Sequence, residues 1–87
     1  MRVYPREYFV YILTNYKGTV LYTGVTNNLG QRLIANYIEQ ADPFSNSFTA
    51  KYNVCYLLYY EIHKNVIDAI SREKEIKKWR RERKNSL

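Results

Sequence analysis

Cysteine, histidine, glycine and proline are all scarce in this 87-residue chain: one Cys, one His, three Gly and two Pro. The lone Cys55 can form no internal disulfide, and no cysteine spacing suits a metal site. His63 has no partner at ligand spacing and reads as structural or exposed rather than catalytic. No apolar run approaches the roughly 18 residues of a membrane span. The opening MRVYPREY has no apolar core of the signal-peptide type, so a reducing cytoplasm is the expected compartment. There are no internal repeats and no low-complexity segment. A chain of this length buries only about 60% of its unfolded surface, which excludes a second core. One domain over 1–87 is expected, with its core at about 8–84, and a monomer is the default state.

What is abundant is positive charge. Fourteen Lys and Arg face eight Asp and Glu, for a net +6 and a pI near 9.5. Eight of the fourteen lie between Arg72 and Lys84. Such a cluster suits a polyanion, most simply nucleic acid. A solvated helix end is the competing explanation, because cations favour helix C-termini. A membrane-surface helix is disfavoured, since this end is too polar to insert.

The stretch FVYILTNYKGTVLYTGVTNNLGQR organises the rest. Phe9–Leu13 is apolar and aromatic, as a strand with a buried face requires. Asn15–Thr19 carries turn residues, and Val20–Val25 is a second strand. Thr26, Asn27 and Asn28 offer caps for a helix over about Leu29–Glu39. Its core positions are Leu29, Leu33 and Tyr37, with Ile34 and Ile38 added. A two-residue turn at Lys17-Gly18 sets Tyr11 opposite Gly24 and Tyr22 opposite Leu13. Tyr11 and Tyr22 then share one sheet face beside the bare backbone of Gly24. Both can equally be ordinary strand aromatics.

Gln40–Lys51 is a polar loop in which Phe44 and Phe48 either tuck against the core or stack on an unpaired base. Asn53–Glu61 is a third strand; apolar side chains on both faces give it the look of a central, doubly covered one. Asn65 caps a second helix, with Asp68 as the acidic half of a capping box, running to about Lys84. Val66, Ala69, Ile70 and Ile76 form its apolar stripe. Glu73 falls within that stripe, where a carboxylate is expensive unless hydrogen-bonded, metal-bound or held in a buried ion pair with Arg32 or a lysine. The elements predict an α/β (α+β) fold: a three-stranded antiparallel sheet flanked by helices in the order β-β-α-β-α.

Phe9-Val10-Tyr11, the spacing to Tyr22-Thr23-Gly24, Asn15 after the first strand and Arg32 resemble the GIY-YIG nuclease superfamily. FTAKYNVCYLLYYE and DAISREKEIKKWRRERK resemble its small stand-alone YhbQ-like branch. The resemblance implies a metal-dependent endonuclease acting on DNA or another structured nucleic acid, with low sequence specificity. It implies one Mg²⁺ (or Mn²⁺) ion held by Glu73, with Tyr11, Tyr22 and Arg32 as the catalytic residues. Gly24, Asn36, Lys51, Lys77, Lys78, Arg80 and Arg81 would face substrate. Two departures stand out: FVY and YTG replace the motif triplets, and Asn36 stands where relatives often carry His or Tyr. Asparagine can hydrogen-bond a phosphate but cannot act as a base at neutral pH. A non-catalytic nucleic-acid-binding module, or a basic domain for an acidic protein partner, are the alternatives.

Overall fold

A computed structural model describes residues 7–42, 51–79 and 83. Two antiparallel strands, β1 (Tyr8–Thr14) and β2 (Leu21–Thr26), form the hairpin. Helix α1 (Leu29–Gln40), strand β3 (Tyr56–His63) and helix α2 (Val66–Lys77) follow. The order is the expected β-β-α-β-α, and the sheet is antiparallel throughout.

Turn chemistry fixes the hairpin. Gly18 adopts φ +69°, a region open to glycine at no steric cost. The Asn15 side chain accepts from the amides of Thr19 and Val20 at 2.8 and 3.2 Å, closing the turn. The register is as expected: Tyr11 lies opposite Gly24, and Leu13 opposite Tyr22.

The strand order is β2-β1-β3, so β1 is the central strand and β3 lies at an edge. This corrects the reading of the third strand as central. Tyr56, Leu57, Leu58, Tyr60 and Ile62 are all exposed, so its apolar side chains do not mark double coverage. A register shift between Ile12 and Leu13 also breaks its simple alternation, since Tyr59 pairs with Ile12 but Leu57 pairs with Leu13. Leu58 is therefore a bulge residue, and Tyr56 and Tyr60 fall on opposite faces. β3 begins at Tyr56 rather than Asn53, whose φ of 56° lies outside the strand region.

The two faces of β1 build two small cores. Val10 and Ile12 pack with Ala69 and Ile76 of α2, bordered by Tyr8, Leu21, Val25, Tyr59 and Trp79. Tyr11 and Leu13 pack with Val54, bordered by Val20, Tyr22 and by Leu29 and Leu33 of α1. Helix α1 is capped by Asn28, which accepts from Gln31 N. It turns a narrower stripe inward than its periodicity suggested: Ile34, Tyr37 and Ile38 are more than 60% exposed, while Asn36 is buried. At about 100° per residue Asn36 lies between Arg32 and Leu29 around the helix, and Ile34 and Ile38 lie on the far side.

Asn65 caps α2 by accepting from Ile67 N. The helix closes at Lys77, with Lys78 as its C-cap, short of the expected end near Lys84. Ala69 and Ile76 are buried as expected, but Val66 and Ile70 are about 40% exposed. Phe44 and Phe48 lie outside the described residues.

Candidate active site

The hairpin sets Tyr11 and Tyr22 on the α1-facing side of the sheet, their ring centroids 6.4 Å apart. Tyr11 is 3% exposed and Tyr22 is half-buried. Gly24 is what admits the Tyr11 ring. A Cβ at position 24 would lie 2.5 Å from the Tyr11 hydroxyl and 2.6 Å from Cζ. The space opened by this glycine is thus filled by tyrosine. Gly24→Ala is expected to cost about 1–3 kcal/mol by overpacking, because the enclosed ring has little room to move. Tyr11→Leu should recover part of that cost in the double variant, as measured by chemical denaturation. Additive effects would show that the ring is not the obstacle.

The charges of the other candidate groups are felt at Tyr11. Its hydroxyl is pushed up to about 12 from an ordinary 10.0. Burial is the main cause; the neighbouring Tyr22 and, more weakly, Glu73 add to it, and the Arg32 guanidinium opposes it. Residues from β2, α1 and α2 therefore act on one phenol of β1. At neutral pH that phenol is protonated and serves as a hydrogen-bond donor. A base role for it would require a further positive charge to lower its pKa.

Arg32 is exposed on the first turns of α1, in a cleft of about 280 Å³ with Thr26, Asn27, Asn28, Gln31 and Ala35. It is open for bidentate binding of a phosphate. Asn36, one turn on, is 4% exposed, and its amide nitrogen has no hydrogen-bond partner among the described residues.

Glu73 lies on α2 with its side chain 16% exposed and its Oε1 3.3 Å from the Lys77 Nζ. Its partner is thus a lysine and not Arg32. Among the described residues no cluster of three or more His, Cys, Asp or Glu forms a cage. Glu73 would offer one carboxylate, and Mg²⁺ commonly takes one or two carboxylates, keeps several waters and shares substrate phosphate oxygens. Lys77 is half exposed and can swing away at little cost.

The expected substrate contacts are scattered. Lys77 is paired with Glu73, Lys78 is exposed at the helix end, and Lys51 lies 5.6 Å from the Tyr52 ring centroid. Arg80 and Arg81 lie outside the described residues. The basic cluster is also less free than its count suggested. Arg72 forks onto Glu61, with Nε 2.9 Å from Oε1 and Nη2 2.8 Å from Oε2, and it reaches Glu75 at 3.0 Å. Arg72 and Arg83 flank the Trp79 ring at 4.9 and 4.4 Å.

Sequence reasoning missed this second polar centre. Tyr59 donates to Glu61, and His63 Nε2 lies 3.1 Å from Glu61 Oε1. Glu61, Tyr59 and His63 alternate along β3, which places them on one face and was the available signal.

A family model described as the GIY-YIG catalytic domain matches residues 7–86. No curated protein matches the chain. The solution NMR structure of the UPF0213 protein BH0048 from Bacillus halodurans is similar in fold. It is 22% identical, the match covers 93% of this chain and 81% of that one, and the TM-score is 0.55.

Proposed function

The chain belongs to the GIY-YIG catalytic-domain family, a nuclease-type domain, and from that premise we propose a metal-dependent endonuclease. It would hydrolyse phosphodiesters of DNA or another structured nucleic acid with low sequence specificity. The observation that supports this best is the pair of tyrosines Tyr11 and Tyr22 set on one sheet face under α1, with Arg32 exposed on the first turns of that helix.

Cleavage requires an oriented water, stabilisation of charge growing on the phosphate and neutralisation of the leaving oxygen. Arg32, exposed in its cleft, binds the phosphate oxygens as a fork. Protonated Tyr11 donates a hydrogen bond, and the more exposed Tyr22 stands beside it to orient the attacking water. Glu73 would hold the one Mg²⁺, which when bound supplies Lewis-acid stabilisation and a more acidic water. Asn36 can donate to an oxygen but takes no proton. Binding is electrostatic through the net +6 and should weaken steeply with salt.

Incubation with duplex, single-stranded and branched DNA, with Mg²⁺ or with a chelator, tests the reading. Metal-dependent products are expected. Arg32→Lys should lower turnover by at least about 10²-fold while DNA affinity holds, because lysine keeps the charge and loses the fork. Binding without any metal-dependent cleavage would instead favour a non-catalytic nucleic-acid module, the reading that Asn36 and the burial of Tyr11 support.

A further inference from the structure

We infer that the sheet face carrying Tyr11 and Tyr22 continues across β3 as a stacking platform, centred on Tyr60, for unpaired nucleotides beside the scissile phosphate. This rests on the nuclease reading and names the substrate feature that the same face would select.

Register carries the argument. Tyr11 is the Cα partner of Gly24 on one side and of Tyr60 on the other, so Tyr60 shares the Tyr11 face one strand further out. Strand spacing is about 4.8 Å. Phe9, the next residue of β1 on that face, has its ring centroid 6.3 Å from that of Tyr60 at an interplanar angle of 54°. Tyr22, Tyr11, Tyr60 and Phe9 therefore form one aromatic tract spanning all three strands. Its inner part lies under Leu29 and Leu33 of α1. Its outer part is open: Tyr60 is 49% exposed and Ile62, the partner of Phe9, is 52% exposed. The bulge at Leu58 is what keeps Tyr60 on this face while sending Tyr56 to the other.

An open aromatic on a strand, next to a phosphate-handling centre in a chain of net charge +6, matches the chemistry of single-stranded binding. There a basic surface follows the backbone and aromatic rings stack on bases. A paired base keeps both of its faces in the helix stack and has none to offer. Two copies of the chain meeting at this face would bring like net charges together, which favours the polyanion as occupant. The tyrosine hydroxyl also suits a surface that stays wet at one end.

The test compares an oligothymidine single strand with a blunt duplex of equal phosphate count, by anisotropy, without metal so that cleavage does not enter. Tyr60→Leu keeps apolar bulk at a half-exposed strand position and removes the ring. It should weaken single-strand binding about tenfold and leave duplex binding within about twofold, with the salt dependence unchanged. Tyr60→Phe should bind as wild type. In wild type, a single strand carrying 2-aminopurine should lose fluorescence on binding, a readout independent of how the variant folds. Equal losses for both DNAs, or no loss and no fluorescence change, would overturn the platform while leaving metal-dependent cleavage standing. A concentration-dependent dimer in wild type that Tyr60→Leu abolishes would also overturn it and make the face a contact between copies. No binding to either DNA would overturn the platform, and only together with no metal-dependent cleavage of duplex, single-stranded or branched DNA would it remove the nuclease reading.

Discussion

Glu73→Gln is expected to abolish metal-dependent cleavage and leave the melting temperature almost unchanged. Glutamine keeps the shape and removes the charge that would hold a hard cation. Loss of charge stabilisation at the reacting phosphate costs at least about 10²–10³-fold in rate. The structure predicts a small stability effect because Lys77, the partner of Glu73, is half exposed and is rehydrated when the pair is lost. Glu73 itself is 16% exposed, but with its cation half in water the pair stays close to other helix pairs four residues apart, which contribute only about 0.3–0.5 kcal/mol. Had Glu73 been buried against Arg32, the same change would have stranded a cation at several times that cost. Thermal melts with and without Mg²⁺, read beside a cleavage assay, separate the two roles. Wild type should melt higher with Mg²⁺, and the variant should show no metal effect. Cleavage retained by Glu73→Gln rules out the ligand role, and a collapsed melting temperature makes the residue structural.

A large stability effect is expected at Glu61. Glu61→Gln leaves the forked Arg72 guanidinium facing a neutral amide, and both side chains are mostly shielded, at 16% and 25% exposure. A fully buried pair broken in this way costs about 3–5 kcal/mol, and the partial exposure here reduces that to roughly 2 kcal/mol. For a domain of this size that corresponds to a fall of roughly 8–16 °C in Tm. The pair also ties the edge strand β3 to α2, so amide exchange in β3 should accelerate first.

The pH dependence has a definite sign. Hydrogen bonding from Arg72, helped by Tyr59 and His63 and opposed by burial, holds the Glu61 carboxyl at about 2 against an ordinary 4.5. The native state therefore binds this proton less tightly than the unfolded chain. The contribution is complete above about pH 4.5 and is lost as pH falls through about 2. The gap in stability between wild type and Glu61→Gln should narrow over that window. Parallel curves from pH 6 to 2 would show that Glu61 is not the titrating partner of Arg72.

Local chemistry made the hairpin legible. Gly18 and the Asn15 side chain fix the turn, and counting outward from it pairs Tyr11 with Gly24 and Tyr22 with Leu13. The helix starts were equally local, because Asn28 and Asn65 cap by bonds spanning two or three residues. The helix faces were only half legible. Periodicity finds an apolar arc on α1, but not which part of it meets the sheet, and Asn36 is buried in preference to Ile34, Tyr37 and Ile38.

The sequence by itself determined the element order, the hairpin register, the shared face of the two tyrosines and the excess of positive charge. Each follows from backbone geometry within a few residues or from simple counting. The tertiary structure alone decided that β1 is central, that Gly24 makes room for the Tyr11 ring and that Arg32 is not the partner of Glu73. It also took Arg72 out of the basic cluster by setting Glu61 against it, eleven residues away in the chain. These depend on which strand edges and helix faces meet. An exposed edge strand can carry as many apolar residues as a buried one, and a carboxylate in a helical stripe has no partner until another turn or strand is brought to it.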